Sequence, residues 1–132
     1  MDALKRLKVL LIEDETDQIL VVQMRLEASG FEVMSATDAD AGWKLAYGER
    51  PALILLDLIL GDVNGLELCR QLKETPETKQ IPLIIFTGST AKDLEKACRD
   101  AGADGCLRKP YSSEELVASV KALIGQPKGM ES

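Results

Sequence analysis

The chain has 132 residues, 45% of them apolar and 29% charged, which is enough to bury one hydrophobic core, so we expect a single domain. Sixteen basic and 22 acidic residues give a net charge of −6, which argues against direct nucleic-acid binding and against an anionic membrane surface as partner. No apolar run approaches a membrane span, and the N-terminal MDALKRLK lacks a signal-peptide core.

The sequence contains no histidine, which excludes Ser-His-Asp and Cys-His catalysis as well as histidine metal sites. Any phosphohistidine chemistry would need a second molecule. The three cysteines, Cys69, Cys98 and Cys106, are odd in number and form no CxxC pair, which favours reduced thiols in a cytoplasmic protein. Cys69 and Cys98 fall on apolar helix faces and are predicted to be core residues. Cys106 is not expected to be a redox sensor, because no neighbour along the sequence clearly lowers its pKa.

In chain order, short apolar runs alternate with segments of helical spacing. The runs predict five strands, over residues 8–12, 32–35, 52–56, 83–86 and 105–108. The first helix is predicted to end at Gly30, the second spans about 39–47, and the third starts near Asn64. A fourth carries Leu94, Ala97, Cys98 and Ala101 at helical spacing, and a fifth begins at Ser112, where Glu115 three residues later is typical of a capping box.

This alternation predicts an α/β fold, a doubly wound, five-stranded parallel sheet of the (βα)5 type with helices on both faces. Residues 1–125 are predicted to form the domain, and residues 126–132 a flexible C-terminal tail or linker stub.

Polar residues follow four of the five predicted strands. Glu13 and Asp14 follow the first strand, Asp57 the third, Thr87 the fourth (before Gly88 and Ser89) and Lys109 the fifth. Ligands of such sheets bind outside the carboxyl ends of the strands, so we expect these side chains to converge at one edge.

Clustered carboxylates repel one another, and a small hard cation such as Mg²⁺ relieves that repulsion. Asp14 and Asp57 are predicted as direct ligands, with Glu13 acting directly or through water. Lys109 supplies a fixed positive charge and Thr87 a hydroxyl. Together they indicate a phosphoryl-transfer site in which a carboxylate oxygen of Asp57 is the nucleophile.

Four segments combine an apolar run with polar residues: VLLIEDE (9–15), LILLDLILGDVNG (53–65), LIIFTGS (83–89) and CLRKPY (106–111). In their order and approximate spacing they resemble the motifs of the receiver domain of two-component response regulators, the CheY-like family. The resemblance covers roughly residues 7 to 124. It implies the flavodoxin-like strand order 2-1-3-4-5.

The resemblance also implies that Asp57 accepts a phosphoryl group from a histidine kinase or phosphotransfer protein. Mg²⁺ would be held by Asp14, Asp57 and the backbone carbonyl of Ile59, with Glu13 assisting. Thr87 and Lys109 would contact the phosphoryl oxygens, and the Lys109–Pro110 bond would be cis.

The surface of the fourth helix, fifth strand and fifth helix would change for an unknown downstream protein, and a homodimer through that surface is plausible for the family. The hydrolytic activity expected is self-dephosphorylation, set by Ile59 and Ser89 beside the water path, so the protein is not expected to be an enzyme.

Two residues depart from the family pattern. Gly61 replaces a proline that receivers commonly have four residues after the acceptor, which favours a more mobile or differently bent loop. Cys106 replaces the usual Tyr or Phe whose ring moves inward on activation. A receiver that binds partners independently of phosphate is therefore the alternative. A third hypothesis, an aspartyl phosphatase, is disfavoured because Ile59 stands where such enzymes place a second acid.

Overall fold

The computed structural model describes residues 6–88 and 93–124. Within these ranges strands and helices alternate along the chain, except that three strands follow one another over residues 53–64. The strands are β1 Lys8–Ile12, β2 Glu32–Ala36, β3 Leu53–Asp57, β4 Ile59–Leu60, β5 Val63–Asn64, β6 Leu83–Thr87 and β7 Gly105–Arg108. The helices are α1 Thr16–Ala28, α2 Ala39–Glu49, α3 Gly65–Glu74, α4 Leu94–Asp100 and α5 Ser113–Ile124.

Five strands form one parallel sheet in the order β2-β1-β3-β6-β7. Numbered by their appearance in this sheet, the order is 2-1-3-4-5, so the predicted doubly wound fold is confirmed. β1 and β3 lie side by side at the point where the strand order reverses, and ligands of such sheets bind at that point.

Helices cover both faces of the sheet. On one face, Leu26 of α1 and Val120 of α5 belong to the same apolar cluster as Val9 of β1. On the other face, α2, α3 and α4 contribute a second apolar cluster, to which Leu72 and Cys98 belong. Because both faces are covered, β3 and β6 are buried along their whole length and read as continuous apolar runs in the sequence.

Two predicted helix ends are confirmed by their hydrogen bonds. After α1, the Gly30 N–H donates to the Glu27 carbonyl and the Phe31 N–H to the Leu26 carbonyl, which is a Schellman motif with Gly30 at a φ of 98°. Before α5, Ser112 and Glu115 form the reciprocal capping box, since each side chain accepts the other's backbone N–H at 3.0 and 2.8 Å.

Three strands extend one residue beyond their predicted C-terminal ends, to Ala36, Asp57 and Thr87. At β3, which also begins one residue later than predicted, the ladder continues because Asp57 pairs with Phe86 of β6 and the Leu58 N–H donates to the Phe86 carbonyl at 3.1 Å. Asp57 is therefore held by the sheet itself and does not sit in the loop that follows.

The sequence did not predict the short antiparallel hairpin of β4 and β5, which occupies the segment expected to be a loop. Gly61 begins its two-residue turn at a φ of 57°, a left-handed conformation that glycine adopts without a Cβ penalty. The departure at Gly61 thus gives a defined hairpin.

The predicted tail 126–132 and Ser89 lie outside the described residues. Across residues 6–88 and 93–124, no helix combines the length and the apolar character that crossing a membrane requires.

Candidate functional site

Three carboxylates meet at the carboxyl ends of the neighbouring strands β1 and β3. One oxygen from each of Glu13, Asp14 and Asp57 lies within 4.8 Å of the others. Glu13 is completely buried and Asp57 is 8% exposed, whereas Asp14 faces solvent. The structure thus brings together the three acids that the sequence placed at this edge.

Glu13 is the least satisfied of the three. Its Oε2 accepts the Glu15 N–H at 3.1 Å, but its buried Oε1 has no hydrogen-bond partner among the residues that the structure describes. Burial, reinforced by the negative charge of Asp57, raises the pKa of Glu13 from 4.5 to about 7. A buried acceptor without a donor indicates that a cation or another donor completes this site.

Lys109 reaches the same cluster from β7's end of the sheet. Its Nζ lies 3.8 Å from Glu13 Oε1 and 3.9 Å from Asp57 Oδ2, and 5.0 Å from the centroid of the Phe86 ring. Its backbone N–H donates to the Thr87 carbonyl at 2.7 Å, and the peptide bond to Pro110 is cis, as expected. Both distances from the Lys109 ammonium nitrogen to the carboxylate oxygens are longer than a hydrogen bond, so the groups are near each other but not in direct hydrogen-bond contact.

The hairpin is tied to the cluster by two of the acids. Asp57 Oδ1 accepts the Ile59 N–H at 3.2 Å, and Asp14 Oδ2 accepts the Gly61 N–H at 3.0 Å. Just after the hairpin, a Cβ at Gly65 would overlap the carbonyl oxygen of Asp57. A glycine is therefore required there for α3 to begin so close to Asp57.

An open cleft of about 440 Å³ lies over the cluster, and Asp14, Asp57, Ile59 and Thr87 line it. The atoms that could bind a metal ion here are oxygen atoms of carboxylates, of a hydroxyl and of the backbone, which are the ligands that Mg²⁺ prefers. Together with the unsatisfied Glu13 Oε1, this donor set fits a divalent hard cation.

Three residues that help to form the site were not predicted as site residues from the sequence. Gly61 was noted only for loop freedom and Gly65 only as part of a motif, while Phe86 was counted as strand core. The spacing of Gly65, eight residues after Asp57, is a usable signal, because a glycine opening a helix beside a strand end often permits close backbone approach.

The sequence profile of the response regulator receiver domain matches residues 9–121. The chain belongs to this family. The chain is 36% identical over 92% of its length to the phosphate regulon transcriptional regulatory protein PhoB of Rhizobium meliloti, and covers 53% of that protein. The alkaline phosphatase synthesis transcriptional regulatory protein PhoP of Bacillus subtilis is 33% identical over 89% of the chain, which covers 48% of it. The chain thus spans about half the length of these curated relatives.

Solved structures share the fold of this receiver domain. A putative response regulator from Chloroflexus aurantiacus superposes with a TM-score of 0.86 at 26% identity, covering 92% of this chain and 100% of its own. The receiver domain of the sensor histidine kinase PA1611 from Pseudomonas aeruginosa, solved with magnesium in its active-site cleft, superposes with a TM-score of 0.84 at 24% identity and the same coverage.

Proposed function

We propose that Asp57 accepts a phosphoryl group, and that this receiver domain thereby relays a two-component signal from a histidine kinase or a phosphotransfer protein. The observation that supports the proposal most strongly is the convergence of Glu13, Asp14 and Asp57 within 4.8 Å, with the Lys109 ammonium group 3.9 Å from Asp57. Family membership favours this role over a receiver that binds independently of phosphate.

The chain's own residues supply positioning and charge. An oxygen of Asp57 attacks the phosphorus atom, and the bond from phosphorus to the donor breaks. The Lys109 charge offsets the negative charge of the phosphoryl oxygens, and the Thr87 hydroxyl, at the end of β6, donates to one of them. β3 holds Asp57 through its pairing with β6, so the nucleophile needs little reorganisation.

Mg²⁺ would be held by Asp14, Asp57 and the Ile59 carbonyl, with Glu13 assisting. When bound, the ion neutralises the carboxylates and the phosphoryl oxygens in contact with it. The unsatisfied Glu13 Oε1 supports this assignment, and magnesium occupies the active-site cleft of the PA1611 receiver domain, whose fold matches this one.

The output surface would be α4, β7 and α5, which we expect to change on phosphorylation and to bind a downstream protein or a second copy of the chain. We expect the domain to act in the cytoplasm without contacting nucleic acid or membrane directly. Its catalysis would be limited to its own phosphorylation and dephosphorylation, because the cleft carries the apolar Ile59 where an aspartyl phosphatase needs an acid.

The direct test incubates the protein with Mg²⁺ and acetyl phosphate and measures its intact mass. We expect an increase of one phosphoryl group that disappears when Mg²⁺ is chelated and is absent from Asp57→Asn. The matched control is Asp62→Asn, an exposed acid in the hairpin turn, which should be labelled like the wild type.

Labelling of Asp57→Asn to the wild-type extent, or an unlabelled wild type, would overturn the proposal. If the wild type is labelled but its affinity for a partner protein does not change, the binding-only alternative regains support.

A further inference from the structure

Two of the three cysteines lie in contact at the edge of the sheet. Cys98 of α4 is 1% exposed, Cys106 of β7 is partly exposed, and their Sγ atoms are 3.5 Å apart. They are eight positions apart in the sequence, on a helix and the strand that follows it. The pair is not predictable from the spacing of the cysteines, because it forms only when α4 packs on β7.

We propose that Cys98 and Cys106 are a modification site at which a hydroperoxide forms an intramolecular disulfide that joins α4 to β7. This inference goes beyond the phosphoacceptor role and does not depend on it.

The geometry requires only a short movement. A disulfide bond is about 2.05 Å long, so the two sulfur atoms must approach by about 1.5 Å from their present separation. The surroundings permit such a shift, because β7 is an edge strand that pairs only with β6, and α4 is a helix of 7 residues. Ile85 is the strand neighbour of Cys106 on its paired side.

A small oxidant has a cavity beside the pair, and Cys106 is partly exposed. A cavity of about 190 Å³ is lined by Cys98 and Cys106, with Glu95 and Arg99 of α4 at its wall. A water molecule occupies about 30 Å³ in the liquid, so this cavity accommodates hydrogen peroxide. Cys69, by contrast, is fully buried, and its thiol donates to the Ala101 carbonyl at 3.5 Å.

The reaction balances with one hydroperoxide. The Cys106 sulfur attacks a peroxide oxygen, the O–O bond breaks, and the departing hydroxide takes the thiol proton as water (or leaves as the alcohol of an organic peroxide). The Cys98 sulfur then attacks the Cys106 sulfenic acid, the S–O bond breaks, and the second hydroxide takes the Cys98 proton. The two thiols lose two electrons and two protons, and the peroxide is reduced.

Exposure decides the order of the two steps. Cys106 meets the oxidant first because it is the more exposed thiol. Cys98, nearly fully buried and 3.5 Å from Cys106, is then the resolving thiol. Burial, with a contribution from the neighbouring Cys106, raises the pKa of Cys98 to about 12. Because Cys98 must lose its proton to attack the Cys106 sulfenic acid, the second step is the slower one and should accelerate as the pH rises.

The disulfide would connect two elements of the proposed output surface. α4 and β7 would then no longer move independently, at the position where receivers usually carry a mobile aromatic ring. Oxidation and phosphorylation would therefore act on the same surface through different residues.

The test adds hydrogen peroxide to the reduced, folded full chain, stops the reaction by unfolding the protein in denaturant with an alkylating reagent so that every free thiol is labelled, and measures mass without a reductant. We expect the wild type to lose two hydrogen atoms and retain one alkylated cysteine. Trypsin cleaves after Lys96, Arg99 and Arg108, so peptides 97–99 and 100–108 should be recovered as one disulfide-linked species.

Cys98→Ser and Cys106→Ser should not form this species, and Cys69→Ser is the matched control that should form it as the wild type does. Circular dichroism of each variant confirms that it is folded, and Cys98→Ala replaces Cys98→Ser if the hydroxyl destabilises the core. The proposal is overturned by an unlinked wild type, by overoxidation of Cys106 alone, or by a disulfide that involves Cys69 or a second chain.

Discussion

At the centre of the sheet, β1 and β3 have a strand on each side and helices on both faces, and every residue of β3 is buried. At the edge, β7 pairs on one side only, and none of its residues is fully buried. The centre holds the carboxyl groups of Glu13 and Asp57 in buried surroundings, whereas at the edge the buried Cys98 of α4 contacts the partly exposed Cys106 of β7. β3, which carries the proposed phosphoryl acceptor, is paired on both sides and buried, whereas β7 is paired on one side and only partly buried. We therefore expect a change of shape to cost less around β7 than around Asp57.

The largest effect on the free energy of unfolding is expected from shortening a leucine side chain to alanine in each of the two regions. Leu56 precedes Asp57 in β3 and is fully buried, while Leu107 of β7 is only partly buried. Leu56→Ala should reduce the free energy of unfolding by about 2–5 kcal/mol, the range for a cavity in a packed core, and Leu107→Ala by less. Urea unfolding of both variants measures this, and equal losses would remove the contrast in packing.

Thiol reactivity gives the next comparison. Burial raises the pKa of Cys69 from 9.0 to about 11, so its thiolate fraction at pH 8 should be about 100-fold below that of an unperturbed cysteine. Cys69 should therefore resist iodoacetamide in the folded protein, whereas the partly exposed Cys106 should be alkylated, as read by peptide mass mapping. Preferential alkylation of Cys69 would contradict the buried placement.

The raised pKa of Cys69 also predicts how the stability of the folded protein changes with pH. Because the folded state holds the Cys69 proton more tightly, its contribution to stability is complete below pH 9 and is lost as the pH rises through about 11.

The smallest effect concerns the backbone beside Asp57. A Cβ at Gly65 would overlap the Asp57 carbonyl, so Gly65→Ala should destabilise the protein by about 1–3 kcal/mol. Gly48, exposed in α2 with nothing within 4 Å of its added Cβ, is the matched control, and Gly48→Ala should be neutral or stabilise by up to about 1 kcal/mol. Thermal unfolding of both variants measures the difference. A Gly65→Ala protein as stable as the control would show that the close approach of residue 65 to the Asp57 carbonyl does not require glycine.

Much of the fold was predictable from the sequence because local signals and the overall architecture agree. The buried strands read as apolar runs, and both Gly30 and the Ser112–Glu115 pair marked helix ends with their own hydrogen bonds. The convergence of Glu13, Asp14 and Asp57 followed from parallel topology, since the carboxyl ends of adjacent parallel strands meet at one edge.

The features that were not predicted depend on contacts that form only when separate helices, strands and loops pack together. The β4–β5 hairpin is held partly by the Asp14–Gly61 hydrogen bond, which spans 47 positions. The Cys98–Cys106 contact needs the packing of α4 on β7, and the complete burial of Glu13 needs the whole sheet edge. The roles assigned to Thr87, Lys109 and the Ile59 carbonyl stay predictions, although Thr87 and Ile59 line the cleft and the Lys109 ammonium group approaches Asp57.

The central claim is that the three carboxylates form one divalent-cation site, and calorimetric titration with Mg²⁺ tests it most directly. The wild type should bind one Mg²⁺ per chain, and Asp14→Asn should weaken binding at least about tenfold. Asp17→Asn, which alters an exposed acid in the first turn of α1, should bind as the wild type does. A wild type that does not bind Mg²⁺, or an Asp14→Asn variant that binds it equally well, would contradict the account.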